Sequence, residues 1–161
     1  MTLIAGFLTG SFLAFSIPFL ELNPKYICTD SDTGRQFDCT RDDFCHSTTV
    51  SHEVDWTDDN SLHNWVEDLN LTCTPGFEIG LIGASMFAGW ALAATFLPRL
   101  ADVYGRKPVY LGSIGAHCII YLSIIASKSL TLTTALMFLL GMVSVGRAAV
   151  GYLYLTELVP V

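Results

Sequence analysis

The sequence predicts an all-α membrane protein, with four transmembrane helices and a disulfide-bearing loop outside the bilayer. Three observations predict it. Hydrophobic residues make up 52% of the 161 and charged residues only 14%, with a mean hydropathy of +0.50, a balance foreign to most soluble domains. Apolar runs long enough to cross a bilayer recur four times. The charge is segregated: residues 21–76 hold twelve acidic and three basic residues, a net of −9, while the whole chain carries −7. The membrane part is therefore slightly basic and the loop strongly acidic. This argues against a nucleic-acid partner, because no basic face exists to neutralise phosphates.

Residues 1–20 are the first expected span. Thr2 to Leu20 is uncharged, and at about 1.5 Å per residue it nearly crosses a ~30 Å hydrocarbon core. No basic segment precedes it and Pro18 to Glu21 lacks a small-residue cleavage pattern, so a spanning helix is expected rather than a secretory leader.

Residues 21–76 form the acidic loop, which contains Cys28, Cys39, Cys45 and Cys73. Four cysteines confined to one loop predict two disulfides; three pairings are possible and spacing does not choose among them. Metal binding is the competing chemistry. No Cys-x-x-Cys spacing is present and His46, His52 and His63 are scattered, so no metal is expected. Disulfides place the loop in an oxidising compartment. Within it, Leu62, Trp65, Val66 and Leu69 recur at helical spacing and predict a short amphipathic helix over Ser61–Leu71. Asn70-Leu71-Thr72 is a candidate glycosylation sequon, usable only in a secretory lumen.

The second span is expected at 77–98, started by Thr74 as N-cap and Pro75 at the first helical position, with Glu78 in the first turn where the helix dipole favours an anion. Gly80, Ala84 and Ala88 form one row of small residues and Ser85, Gly89 and Ala93 a second, both suited to close helix packing in lipid. A charged hinge follows at 99–108, then a third span at 109–127 and a fourth at 130–158. The connection Ser127-Lys128-Ser129 forces an antiparallel hairpin. Arg99, Arg106 and Lys107 assign the hinge to the cytoplasm and therefore loop 21–76 to the opposite side of a plasma or organelle membrane. His117 and Cys118 read as satisfied or weakly polar interior positions, with Cys118 reduced. Arg147 differs: a guanidinium within a span costs at least ~2.5 kcal/mol unless it finds a carboxylate or water.

In the hinge, Asp102 can pair with Arg106, Gly105 relaxes the backbone, and Lys107 adds a second cation. Asp-x-x-Gly-Arg-Lys between two apolar helices resembles the loop signature of the major facilitator superfamily, Gly-x-x-x-Asp-[Arg/Lys]-x-Gly-Arg-[Arg/Lys]. Pro98 and Val103 depart from it. Two further stretches resemble the organic cation and anion transporter branch: Asn64-Trp65 through Asp68-Leu69-Asn70-Leu71-Thr72-Cys73, and a fourth span with Phe138-Leu139-Leu140-Gly141-Met142 followed by Tyr152-x-Tyr154-x-Thr156-Glu157-Leu158-Val159-Pro160.

The resemblance implies the first four helices of an N-terminal half and alternating access about a central site. Asp102, Gly105, Arg106 and Lys107 would latch the hinge side; Arg147, Tyr152 and Glu157 are candidate cavity residues. Two readings follow. One is part of a secondary transporter for organic ions, as a fragment or one piece of a split protein. The other is a transporter-derived, non-transporting structural subunit of a larger membrane complex. The expected partners are lipid, the remaining transporter helices or other membrane subunits, and a small organic ion if the chain transports. No cofactor is expected, and with no nucleophile, base and acid cluster, no enzymatic activity.

Overall fold

The computed structural model describes residues 12–31, 34–46 and 50–158. They belong to two compact units, one comprising 18–79 and the other 12–17 with 80–158. Residues 12–20 form helix α1; the remainder of the expected first span, 1–11, lies outside the described residues. Among the described residues three helices are long and apolar enough to cross a membrane, Gly76–Tyr104, Arg106–Ala126 and Leu130–Glu157, where the sequence predicts four spans.

The loop unit corrects the all-α expectation. Strands β1 (Tyr26–Asp30), β2 (Gln36–Cys39) and β3 (Val50–Val54) form an antiparallel sheet in the order β2-β1-β3. Tyr26 stands opposite Cys39 on one side and Val54 on the other. With side chains alternating across the strand, Tyr26 and Cys28 share one face. That face is buried with Phe44 of the short helix α2 (Arg41–Cys45), and Cys39, Cys45, Val50 and Val54 close around it. Tyr26 meets Phe44 edge-on at 5.0 Å, and the His52 ring stacks on Phe44 at 4.0 Å. A core this small needs covalent help. Cys28 is joined to Cys39 and Cys45 to Cys73, with Cα–Cα separations of 5.7 and 5.5 Å. Of the three possible pairings, the sequential one is realised.

The amphipathic helix expected over Ser61–Leu71 is a single turn, α3 (Trp65–Asp68). Its N-terminus is fixed by Asn64, whose side-chain oxygen accepts from Val66 N at 3.1 Å. The Asn64 amide also donates to Leu22 O at 2.6 Å and Phe19 O at 3.2 Å, which ties the turn to the chain leaving α1. Its C-terminal side is stopped by Asn70, at a φ of 54°. Asparagine tolerates this left-handed conformation better than most residues do.

Helix α4 (Gly76–Tyr104) continues through Pro98. The ten-residue hinge expected at 99–108 is therefore a single residue, Gly105, at a φ of 93°, after which α5 (Arg106–Ala126) begins. Glycine is what permits that conformation between two helices. Helix α5 turns through Ser127–Ser129 into α6 (Leu130–Val145), where Thr133 Oγ1 donates to Ser127 Oγ at 3.0 Å and Thr133 N to Ser129 O at 2.9 Å. A π-helical turn, Gly146–Val150, interrupts this last helix before it resumes as α7 (Gly151–Leu158).

Glycines set how closely these helices pack. A Cβ on Gly146 would stand 1.9 Å from Ser113 Oγ, and one on Gly151 would stand 2.8 Å from the Tyr110 ring. The π-turn is thus bracketed by two close approaches to α5. Of the two rows of small residues on α4, Ser85, Gly89 and Ala93 face α6, with Ser85 Oγ donating to Thr134 O at 3.0 Å. Gly80, Ala84 and Ala88 are exposed.

Candidate functional site

Two polar clusters lie in the helical unit. The first is built on Arg106, the first residue of α5. Its guanidinium reaches Glu157 Oε1 of α7 at 3.0 Å and Asp102 Oδ1 of α4 at 3.5 Å, and donates to Leu153 O at 3.3 Å. One cation thereby joins the ends of three helices. The Asp102–Arg106 pairing was expected from its four-residue spacing across Gly105. The partner at Glu157 was not: sequence reading grouped Glu157 with Arg147 as cavity residues, whereas the structure brings it to Arg106. Lys107 is exposed beside the cluster.

The second cluster centres on Arg147 in the π-turn. Its side chain is buried, with only 6% of the residue exposed, and Nε has no hydrogen-bond partner among the described residues. His117 of α5 is 7% exposed, and neither ring nitrogen has a partner among the described residues. The His117 ring meets the partly buried Tyr121 ring edge-on at 4.6 Å. His117 is thus not the satisfied position expected from sequence. Tyr152, the third candidate cavity residue, is 60% exposed and makes no described contact with Arg147.

The Arg106–Glu157 contact fixes the depth of this cluster. His117 lies eleven residues after Arg106 and Arg147 ten before Glu157. At about 1.5 Å per residue both are about 15 Å in from the contact along their helices. Side chains lean toward a helix N-terminus, which directs Arg147 toward the level of His117 in this antiparallel pair.

The four loop cysteines are consumed by the disulfides and Cys118 is free and exposed on α5. Asn70 is exposed at the turn after α3. Among the described residues no group of three His, Cys, Asp or Glu side chains is placed to hold a metal.

A stretch of 68 residues, 41% of this chain, is 41% identical to a protein of Arabidopsis thaliana described as a probable peptide/nitrate transporter. The matched stretch covers 14% of that protein, so the chain corresponds to a small part of its relative's length. No protein-family profile and no solved structure matches the chain. The three helices long and apolar enough to cross a membrane support a multi-pass membrane protein.

Proposed function

We propose that the chain is part of a secondary transporter for organic ions that works by alternating access, with Arg106 as the latch of its hinge side. The observation that carries this reading is the bonding of one guanidinium to carboxylates on two other helices, at the single-residue joint between α4 and α5. The latch can open by exchanging ion pairs for water, because all three side chains are partly exposed. Such pairs are weak individually, which suits a contact that must break in every cycle. The hinge side is then cytoplasmic, and the disulfide-bonded loop faces the opposite, oxidising side. The exposed Gly80, Ala84 and Ala88 row on α4 gives further transporter helices or other membrane subunits a close-packing surface.

The test is uptake of labelled organic cations and anions by cells expressing the chain, where helices of other origin can complete the unit. Saturable uptake is expected, reduced by Arg106→Glu and partly restored by Arg106→Glu with Glu157→Arg. Uptake no greater than in cells lacking the chain, across the whole panel, refutes transport and favours the structural-subunit reading.

A further inference from the structure

Asn64 is buried, with 5% of the residue exposed, and its side chain serves two helices at once. The amide N–H groups go to Leu22 O at 2.6 Å and Phe19 O at 3.2 Å, while the oxygen takes the Val66 N–H at 3.1 Å. The two carbonyls lie 42 and 45 residues earlier in the chain. Phe19 is in the last turn of α1, where carbonyls have no partner within the helix. One side chain thus closes the end of α1 and opens α3. The amide works only this way round, because turned over its oxygen would face two carbonyl oxygens.

From Asn64 the fastening runs on toward α4. Asn70 N donates to Glu67 O at 3.0 Å, Leu71 N to Val66 O at 2.8 Å, and Thr74 N to Leu71 O at 2.9 Å. Val66 and Leu71 are buried. Cys73 is bridged to Cys45 of α2, and Arg41 of the same helix donates from Nη1 to Thr74 O at 2.7 Å. Gly76 then begins α4. All these contacts lie inside one compact unit, 18–79.

From this chain of bonds we infer that residues 64–74 are a strap tying the end of α1 to the start of α4. Asn64 is its fastening at α1; Arg41 and the Cys45–Cys73 bridge are its fastening at α4. The Cys28–Cys39 bridge staples the sheet and lies outside it. For the end of α1 to move away from the start of α4, the Asn64 bonds must break, so the two helix ends shift together. In a transport cycle the strap would make the loop a brace that carries one span with the next, a role that rests on the transport reading. The strap itself is a property of the chain alone.

Hydrogen exchange of the full chain in nanodiscs, read by mass spectrometry on peptides covering 17–24 and 65–71, tests both ends. Asn64→Asp separates the two tasks of the side chain, since a carboxylate still accepts from Val66 N but has no N–H to give. Exchange in 17–24 is expected to quicken at least threefold while 65–71 is unchanged. Asn64→Ala is expected to quicken both. Transmission is read from the other end of the strap: Arg41→Gln, and separately Cys45→Ala with Cys73→Ala, are expected to quicken 17–24 at least threefold. Unchanged exchange in 17–24 with Asn64→Asp would overturn the inference. Quickening with Asn64→Asp but with neither far-end change would reduce Asn64 to a local cap and overturn the strap as well. Should the paired cysteine change unfold the loop, seen as quickened exchange across Tyr26–Asp30, Arg41→Gln decides, because it leaves both bridges in place.

Discussion

Gly89 of α4 and Gly141 of α6 each lie against the backbone of the other helix: a Cβ on Gly89 would stand 2.1 Å from Phe138 O, and one on Gly141 would stand 1.9 Å from Met86 O and 3.0 Å from Trp90 N. Neither clash can be relieved by rotating a side chain, because the atoms met are main chain. The two helices must separate to admit a methyl group.

Gly141→Ala is therefore expected to destabilise the helical unit by about 1–3 kcal/mol, the usual range for overpacking, although alanine is the better helix former. Gly80→Ala is the control, since nothing lies within 4 Å of that position. It should be neutral or slightly stabilising. Thermal unfolding followed by circular dichroism separates the two; equal midpoints for both variants would show that the α4–α6 approach is looser than described.

Arg106 and Glu157, at 3.0 Å, are expected to show a measurable but small coupling. The Arg106 side chain is 26% exposed and that of Glu157 54%, so solvent screens the pair and the surface range applies. A double-mutant cycle with Arg106→Ala and Glu157→Ala should give about 0.5–1 kcal/mol. A coupling near zero would mean that the pair does not hold α7 to α5, and would remove the main support for the latch.

How much of this was legible in the sequence depends on the range of each interaction. The hairpin at Ser127–Ser129 and the Asp102–Arg106 pair are local, and spacing alone exposes them. Gly105 was read as one relaxed residue inside a loop, but its neighbours keep helical conformation right up to it, so the loop vanishes. The sheet was missed because its strands are short and polar: β2 is largely exposed and β3 buries little. Their cohesion comes from Phe44 and the disulfides, which only the folded pairing reveals. Glu157 was read only as a candidate cavity residue, because its closeness to Arg106 depends on the hairpin register and on the extra residue of the π-turn. For His117 and Arg147, two isolated polar residues in apolar runs were the only available signal.

Alkylation of the unreduced protein is expected to modify Cys118 and none of the other four cysteines, read by mass spectrometry. Opening the Cys45–Cys73 bridge should cost more stability than opening Cys28–Cys39, because it releases a longer loop in the unfolded chain, with sequence separations of 28 and 11. The loop-closure relation puts the difference at about 0.8 kcal/mol. Cys28 is fully buried, however, so its bridge is best opened by paired Cys→Ser replacement at 28 and 39 alongside paired Cys→Ala, which separates packing from cross-linking. Free thiols at any of the four positions in native protein would contradict the pairing.

The acidic loop also carries a pH dependence whose sign follows from Lys25 and Asp58. The Asp58 carboxylate is held at about 2 by the hydrogen bond from Lys25 and then by the Asn60 backbone N–H, against an ordinary value of about 3.9. Lys25 is raised in turn, first by that hydrogen bond and then by the charge of Asp58. A depressed carboxylate contributes stability that is complete above its unfolded value and is lost as pH falls through the folded one. A raised lysine contributes below its unfolded value and loses that contribution as pH rises through the folded one. The pair therefore supports the loop across a plateau from about pH 4 to about pH 10, and its loss on the acid side belongs between about pH 4 and pH 2. Carbon-detected titration of labelled aspartate should give Asp58 a midpoint near 2, and Lys25→Gln should move that midpoint upward toward the ordinary value. A midpoint near 3.9 in the unaltered protein would show that the pair is not formed in solution.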